Sequence, residues 1–497
     1  MRSPASRPRR ARTSRPRGPL APAWAGALLG LCGLGLGLGL AGCSEPVAPK
    51  EPVTVPEVTP APAAEDEGVC PAKAEAPDPL PGIRPELQEV DYWLRRTTEQ
   101  GLDLDAPVLS PAALAEHNAV MVRADAGSLR HDLLGPVDPA AILELVNSRL
   151  AFVRGKITEG KYLRSDGSAP GPEEVAALDQ VAELPPLRPE VRVALAPVPV
   201  YCAPRSEGLF TASLDPAFDR NLCSVLRPQE PLQILMAWSD ELLLARSGYV
   251  LGWIPRGAAL SPALARADQE AFVRGPWMTA IRDVELRAPG GEVIRLPFAS
   301  RAPIDRGHGR GAVRVASERG VIEAAAADAD ALAPTNRPLT RRAFLEDAFR
   351  YLGRSYGWGG YREGRDCSRF LMDLFADFGV DLPRHSSDQA LAGEVIDLAP
   401  GLPEADRMAA IDRAHRRGLV LLHFPNHIML YLGRDAEGVP RALHSFAEYL
   451  VPCAGRTPEM PAGEREILYT VDRILVSDLE LGRGSSRTAF IERITRI

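Results

Sequence analysis

Cysteine is scarce and scattered: seven residues in 497, with no CxxC pair and no local His/Cys cluster. That argues against a zinc-type metal site, whose ligands recur at short fixed spacings, and no cofactor is expected. Positive charge is also in deficit. Lys and Arg number 58 against 65 Asp and Glu, a net charge of −7. Seven of those arginines, Arg2 to Arg17, precede the apolar run 18–42, and no acid falls within 1–42; without that segment the charge is −14. Such a chain is a poor partner for nucleic acid. A clean membrane span is missing too, because glycine interrupts the apolar run throughout. A charged front, an apolar middle and a small-residue end fit a signal peptide over 1–42.

The end of that run, Leu40-Ala41-Gly42-Cys43, resembles the bacterial lipoprotein processing site. The resemblance implies lipid attachment at Cys43 and anchoring in the cell envelope. Ser44, in place of Asp, favours the periplasmic face of the outer membrane. Residues 43–83 are rich in Pro, Ala and Glu and read as an extended tether. The full length of 497 residues accommodates about three or four domains of roughly 100–200 residues. Residues 84–184 show helical periodicity. Val90, Trp93 and Leu94 begin an apolar stripe, and helices are expected over 111–122 and 139–153. Over 185–265 the period becomes two, and over 266–336 short β segments continue. In 337–497 a helical half precedes strands, an α+β pattern.

The chain is organised around 356–371, Tyr-Gly-Trp-Gly-Gly-Tyr-Arg-Glu-Gly-Arg-Asp-Cys-Ser-Arg-Phe-Leu. A Gly-rich loop ends at Asp366, an expected N-cap. Phe370, Leu371, Leu374, Phe375 and Phe378 then mark one helix face, and Gly379 suits a left-handed stop. Cys367 therefore falls in the first helical turn, where backbone N–H groups and the helix dipole favour thiolate. Upstream, Thr340 is expected to cap a helix with Phe344, Leu345 and Ala348 on one face. Downstream comes a charged insert, 399–417, then strands over 419–424 and 427–433 around the turn Pro425-Asn426, and a third over 442–446.

A thiol nucleophile needs a base and a group that orients the base. Of eight histidines, His423, His427 and His444 fall on these strands. A lone strand histidine is usually structural. His427 and His444, on adjacent strands downstream of a helix-N-terminal cysteine, are the pair that fits catalysis.

At these residues the last domain resembles the NlpC/P60 superfamily of papain-like cell-wall peptidases. The matching segments are Tyr-Gly-Trp-Gly-Gly (356–360), Asp-Cys-Ser (366–368), Leu-Pro-Arg-His-Ser-Ser-Asp-Gln (382–389), His-Ile-Met-Leu-Tyr-Leu-Gly (427–433) and Leu-His-Ser (443–445). Gly-Trp-Ile at 252–254 and the strands around it resemble a bacterial SH3 (SH3b) domain, and 266–336 resembles a second. The resemblance implies a papain-like catalytic domain preceded by two small SH3-like barrels and a helical segment. It implies Cys367 as nucleophile, His427 as base and His444 as its orienting residue. It implies Tyr356 at the oxyanion site, and Asp366 and Ser368 lining a pocket for the substrate's free amine. Arg384, Ser386 and Gln389 match a segment near the cleft, with structural and substrate roles both open. Arg369 stands where the family usually has Gly, and is expected to narrow the cleft or to touch a substrate carboxylate.

The implied reaction is hydrolysis of peptidoglycan stem peptides, or muropeptide fragments, between D-γ-glutamate and a diamino acid, usually meso-diaminopimelate. Two alternatives stand beside it: a catalytically silent wall-binding lipoprotein, and an amidase or acyltransferase on the same frame. With Cys32 in the signal, Cys43 lipidated and Cys367 catalytic, four cysteines remain in an oxidising compartment. Cys202–Cys223, both in one β domain, is the preferred disulfide, and Cys70–Cys453 would be the second.

Overall fold

Two polar side chains begin the helices that build the C-terminal domain. Thr340 accepts a hydrogen bond from the Ala343 N–H and opens the helix Arg341–Phe349. Asp366 accepts from the Arg369 N–H and opens the helix Cys367–Ala376. Each bond satisfies a backbone donor that the first helical turn leaves unpaired. Past the second helix, Gly379 takes φ +73°, the left-handed stop. Phe344, Phe370, Leu371, Leu374 and Phe378 are buried in one large core.

These features come from a computed structural model, which describes residues 71–122, 130–305, 307, 309, 311–453 and 465–497. The chain is a mixed α+β protein. Its C-terminal helices pack on a five-stranded sheet. From one edge the sheet runs Lys73–Glu75, Glu466–Asp478, Pro440–Pro452, His427–Arg434 and Val420–Phe424. The last four strands are antiparallel, and the first joins in parallel.

That parallel edge strand differs from the tether expected for 43–83. Residues 73–75 pair with 468–470, and Leu80 and Ile83 are buried against the C-terminal domain. Composition underestimates this stretch because two apolar anchors and one short strand hold it. The charged insert 399–417 is also ordered, mostly as the helix Glu404–Arg417, which buries Met408 and Ile411. The helices of 84–184 divide between two cores. Trp93, on Val90–Glu99, is buried with the C-terminal helices. Ile142, Val146 and Leu150, on Pro139–Thr158, are buried with Leu244 and Trp253.

Residues 190–255 form a six-stranded antiparallel sheet, in which Leu222–Leu226 is an edge strand. Cys202 and Cys223 are disulfide-bonded, as expected. The other expected crosslink involves Cys70, which lies outside the described residues, as does Cys43. Residues 277–334 form a four-stranded and a three-stranded sheet. The Gly-rich loop of the C-terminal domain lies against the edge strand Leu222–Leu226. Gly359 (φ +63°) and Gly360 (φ +96°) permit this approach. A Cβ at Gly359 would stand 2.9 Å from the Leu222 carbonyl oxygen, and one at Gly360 would stand 3.2 Å from Val225 Cβ.

Candidate active site

The Cys367 helix runs across the sheet and meets the strands His427–Arg434 and Pro440–Pro452. Cys367 is buried and is the free cysteine among the described residues. The Ile428 N–H, one residue past His427, donates toward its sulfur. The thiol thus lies against the strand that carries His427.

On that sheet, His427 Nε2 is 2.7 Å from His444 Nδ1. His444 Nε2 is in turn 2.7 Å from Ser477 Oγ. The register explains the second contact. His444 stands opposite Leu475 and Ala442 opposite Ser477, so Ser477 is the diagonal neighbour of His444 on the same face. One tautomer set makes this chain a base. His427 Nε2–H donates to His444 Nδ1, and His444 Nε2–H donates to Ser477 Oγ. His427 Nδ1 is then left with a free lone pair to accept a proton.

Aromatic rings surround the pair. Phe446 stacks on His444 at 4.1 Å between centroids, and Phe490 lies 6.0 Å from His427. Burial among these rings holds His427 down at about 3, with the nearby Arg493 charge adding to it. His444 is also held well below the ordinary imidazole value, by burial and then by His427. Both imidazoles are therefore neutral near pH 7.

The thiol departs from expectation. Burial, and next the Asp366 charge, push Cys367 up to about 12. The Ile428 and Ser368 N–H groups and Arg384 act the other way without prevailing. A position at a helix N-terminus is worth less here than removal from water. The resting pair is thus thiol and neutral imidazole, so proton transfer must accompany attack.

Asp366 and Ser368 are committed to internal bonds. Arg384 is buried and forks onto Asp366, with Nη2–Oδ2 at 2.6 Å and Nη1–Oδ1 at 3.1 Å. It also donates to Ser368 Oγ at 2.9 Å and to Ser224 Oγ, on the edge strand of the six-stranded sheet, at 3.1 Å. Asp366 Oδ2 further accepts from the Gly359 N–H at 3.0 Å, which ties the Gly-rich loop to the helix start. Gln389 donates to the Ser368 and Pro383 carbonyls at 2.8 Å each. Arg384 and Gln389 thus have structural roles in this arrangement. Tyr356 is within electrostatic reach of Asp366 and Cys367, and burial keeps its hydroxyl protonated. It is therefore available as a donor.

Arg369 does not reach the cleft. It is 2% exposed. Its guanidinium contacts Asp373 at 2.8 Å, the Tyr249 hydroxyl at 2.6 Å, the Val225 carbonyl oxygen at 3.3 Å, and Glu230. The expectation that it narrows the cleft or meets substrate is corrected by this: three of its partners belong to the six-stranded sheet's segment, and the side chain joins that segment to the Cys367 helix. Ser477 is the residue the sequence did not single out. It sits on a strand with no local motif, and a His on the neighbouring strand is its only pointer.

Comparison with known proteins adds three findings. A solved NlpC/P60 endopeptidase from Photobacterium damselae subsp. piscicida shares the fold. It superposes with a TM-score of 0.56 at 19% identity, over 76% of this chain and 88% of that one. A γ-D-glutamyl-L-lysine dipeptidyl-peptidase of Bacillus subtilis (strain 168) is 30% identical over 158 residues, which is 30% of this chain. The chain spans about half, 47%, of the length of that relative. Residues 353–445, which hold Cys367, His427 and His444, match the NlpC/P60 family, so the C-terminal part of the chain carries an NlpC/P60 family domain.

Proposed function

We propose that the C-terminal domain is a cysteine peptidase that hydrolyses peptidoglycan stem peptides at the bond between D-γ-glutamate and the following diamino acid. The observation that carries this reading is the relay Ser477–His444–His427 on the strand whose Ile428 N–H donates to the Cys367 thiol. Cys367 Sγ attacks the scissile carbonyl while His427 takes the thiol proton. His427 then protonates the leaving amine, and water releases the acyl group by the reverse transfer. Tyr356 and the N–H groups of the first helical turn stabilise the oxyanion. Asp366, Ser368 and Arg384 hold this end of the helix against the loop.

The diamino acid we propose is meso-diaminopimelate. The name of the Bacillus subtilis relative specifies L-lysine at that position, which makes lysine the competing substrate. The β segments over 185–265 and 266–336 are proposed as SH3b domains, on the Gly-Trp-Ile at 252–254 and on the short strands of both segments. Lipid attachment at Cys43, and a place on the periplasmic face of the outer membrane, are proposed on the leader sequence.

Purified protein incubated with L-Ala-γ-D-Glu-meso-diaminopimelate and its lysine counterpart, with products read by mass, tests the reading. Release of the free diamino acid, absent in C367A, is the expected result. Turnover of neither peptide, together with hydrolysis of a muramyl amide, would overturn it.

A further inference from the structure

A cavity lies where the 190–255 sheet, the 277–334 sheets and the C-terminal domain meet. Neither Cys367, His427, His444 nor Tyr356 lines it. Its walls carry five arginines: Arg227, Arg354, Arg362, Arg365 and Arg369. They carry two acids, Asp283 and Glu363. Asp283 is already engaged, by Arg295 at 2.8 Å and by the Phe298 N–H at 2.9 Å.

The arginines are only partly neutralised. Three of them share one carboxylate: Asp373 lies 2.6 Å from Arg227, 2.9 Å from Arg365 and 2.8 Å from Arg369. Glu230 adds a second negative charge on Arg369. Three buried cations thus face two anions. Arg227 is 8% exposed, and its buried Nη1 makes no hydrogen bond of proper geometry despite its closeness to Asp373. Arg354 and Arg362 make no direct ion pair among the described residues, although Arg354 lies within electrostatic reach of Asp283. They lie instead over rings, Arg354 at 4.2 Å from the Phe298 centroid and Arg362 at 5.1 Å from that of Tyr361. Arg362 and Glu363 also hold left-handed φ values of +50° and +61°, which fix the wall of the cavity in an uncommon backbone form.

We propose that this cavity is a binding site for a dianionic group, a phosphate or a dicarboxylate, separate from the peptidase centre. Guanidinium groups present paired donors in a plane, the geometry that oxyanions accept best. The surplus charge on the floor supplies the attraction, and Arg354 and Arg362, whose guanidiniums make no hydrogen bond to a carboxylate, supply the donors. A neutral or cationic ligand would gain nothing from five guanidiniums and would leave their mutual repulsion in place. The inference does not depend on the proposed peptidase activity.

The test uses the whole protein at constant ionic strength, with inorganic phosphate and malonate titrated separately against chloride. The expected result is a saturable rise in melting temperature with at least one of the two dianions. Saturation by phosphate alone would identify a phosphate-class ligand, and saturation by malonate alone a carboxylate. In R354Q/R362Q the half-saturating concentration should rise at least tenfold while the ligand-free melting temperature stays put. If the double variant melts early, R362Q alone serves, because Arg362 is exposed. Absence of saturation with either dianion, or equal saturation in wild type and variant, overturns the proposal.

Discussion

His427 Nε2 and His444 Nδ1 stand 2.7 Å apart, and His444 Nε2 meets Ser477 Oγ at the same distance. A proton-accepting His427 therefore depends on a hydroxyl two strands away. S477A removes that partner and lets the His444 ring reverse its tautomer. The loss of one hydrogen bond, about 1 kcal/mol, corresponds to a roughly fivefold lower kcat. KM should hold, and S477T should restore the rate. H444A, which removes the orienting group itself, should cost about 10²-fold or more in kcat. A KM increase in S477A with kcat unchanged would contradict the positioning role.

The thiol and imidazole are both neutral at rest, because burial pushes Cys367 up to about 12 and His427 down to about 3. Alkylation of Cys367 by iodoacetamide in the free protein should then accelerate steadily as pH rises past 9. A plateau of fast alkylation between pH 6 and 8 would mean a thiolate–imidazolium pair and would refute this assignment.

Acid should destabilise the fold through its buried histidines. His427 is held at about 3 and His415 at about 4, mainly by burial. The unfolded chain binds these protons near pH 6.5, and the folded chain does not. Stability from the two is thus fully present above 6.5 and declines as pH falls toward 4. Each contributes a slope of at most about 1.4 kcal/mol per pH unit. Denaturant melts of H415F should show a shallower acid limb than wild type, and an unchanged limb would count against His415.

Arg384 neutralises Asp366 with two bonds beneath the helix start. R384A leaves a buried carboxylate without its cation, at a cost of about 3–5 kcal/mol. R384K keeps the charge but not the fork and should fall between. Melting temperatures of the three proteins check the order.

Arg369 is expected to matter for stability and not for substrate. R369A takes the cation from Glu230, which keeps the Tyr249 hydroxyl, while Asp373 keeps Arg227 and Arg365; the lost hydrogen bonds and packing cost about 1–3 kcal/mol. At a temperature where the variant remains folded, KM for the stem peptide should match wild type. A raised KM with unaltered stability would return Arg369 to the cleft.

What could be read in the sequence was local. Capping at Thr340 and Asp366, the stop at Gly379 and the apolar face of the Cys367 helix each follow from side chains within a few turns of one another. The proximity of His427 and His444 was also legible, because strand alternation and a short connection leave few other pairings. The Cys202–Cys223 disulfide follows from two cysteines in one small sheet.

Tertiary structure decided everything that depends on distant neighbours. Ser477 reaches His444 only through the register of two long strands. The 71–83 stretch gains order because the edge of a sheet, formed about 400 residues later, offers its strand a partner and the same domain buries Leu80 and Ile83. Arg369 is buried because Glu230 and Tyr249 arrive from another segment to neutralise and cap it. The acidity of Cys367 departs from the helix-start expectation for the same reason. A helix start is a property of adjacent residues, whereas removal from water is set by the whole surrounding chain, and at this sulfur removal from water is the larger effect.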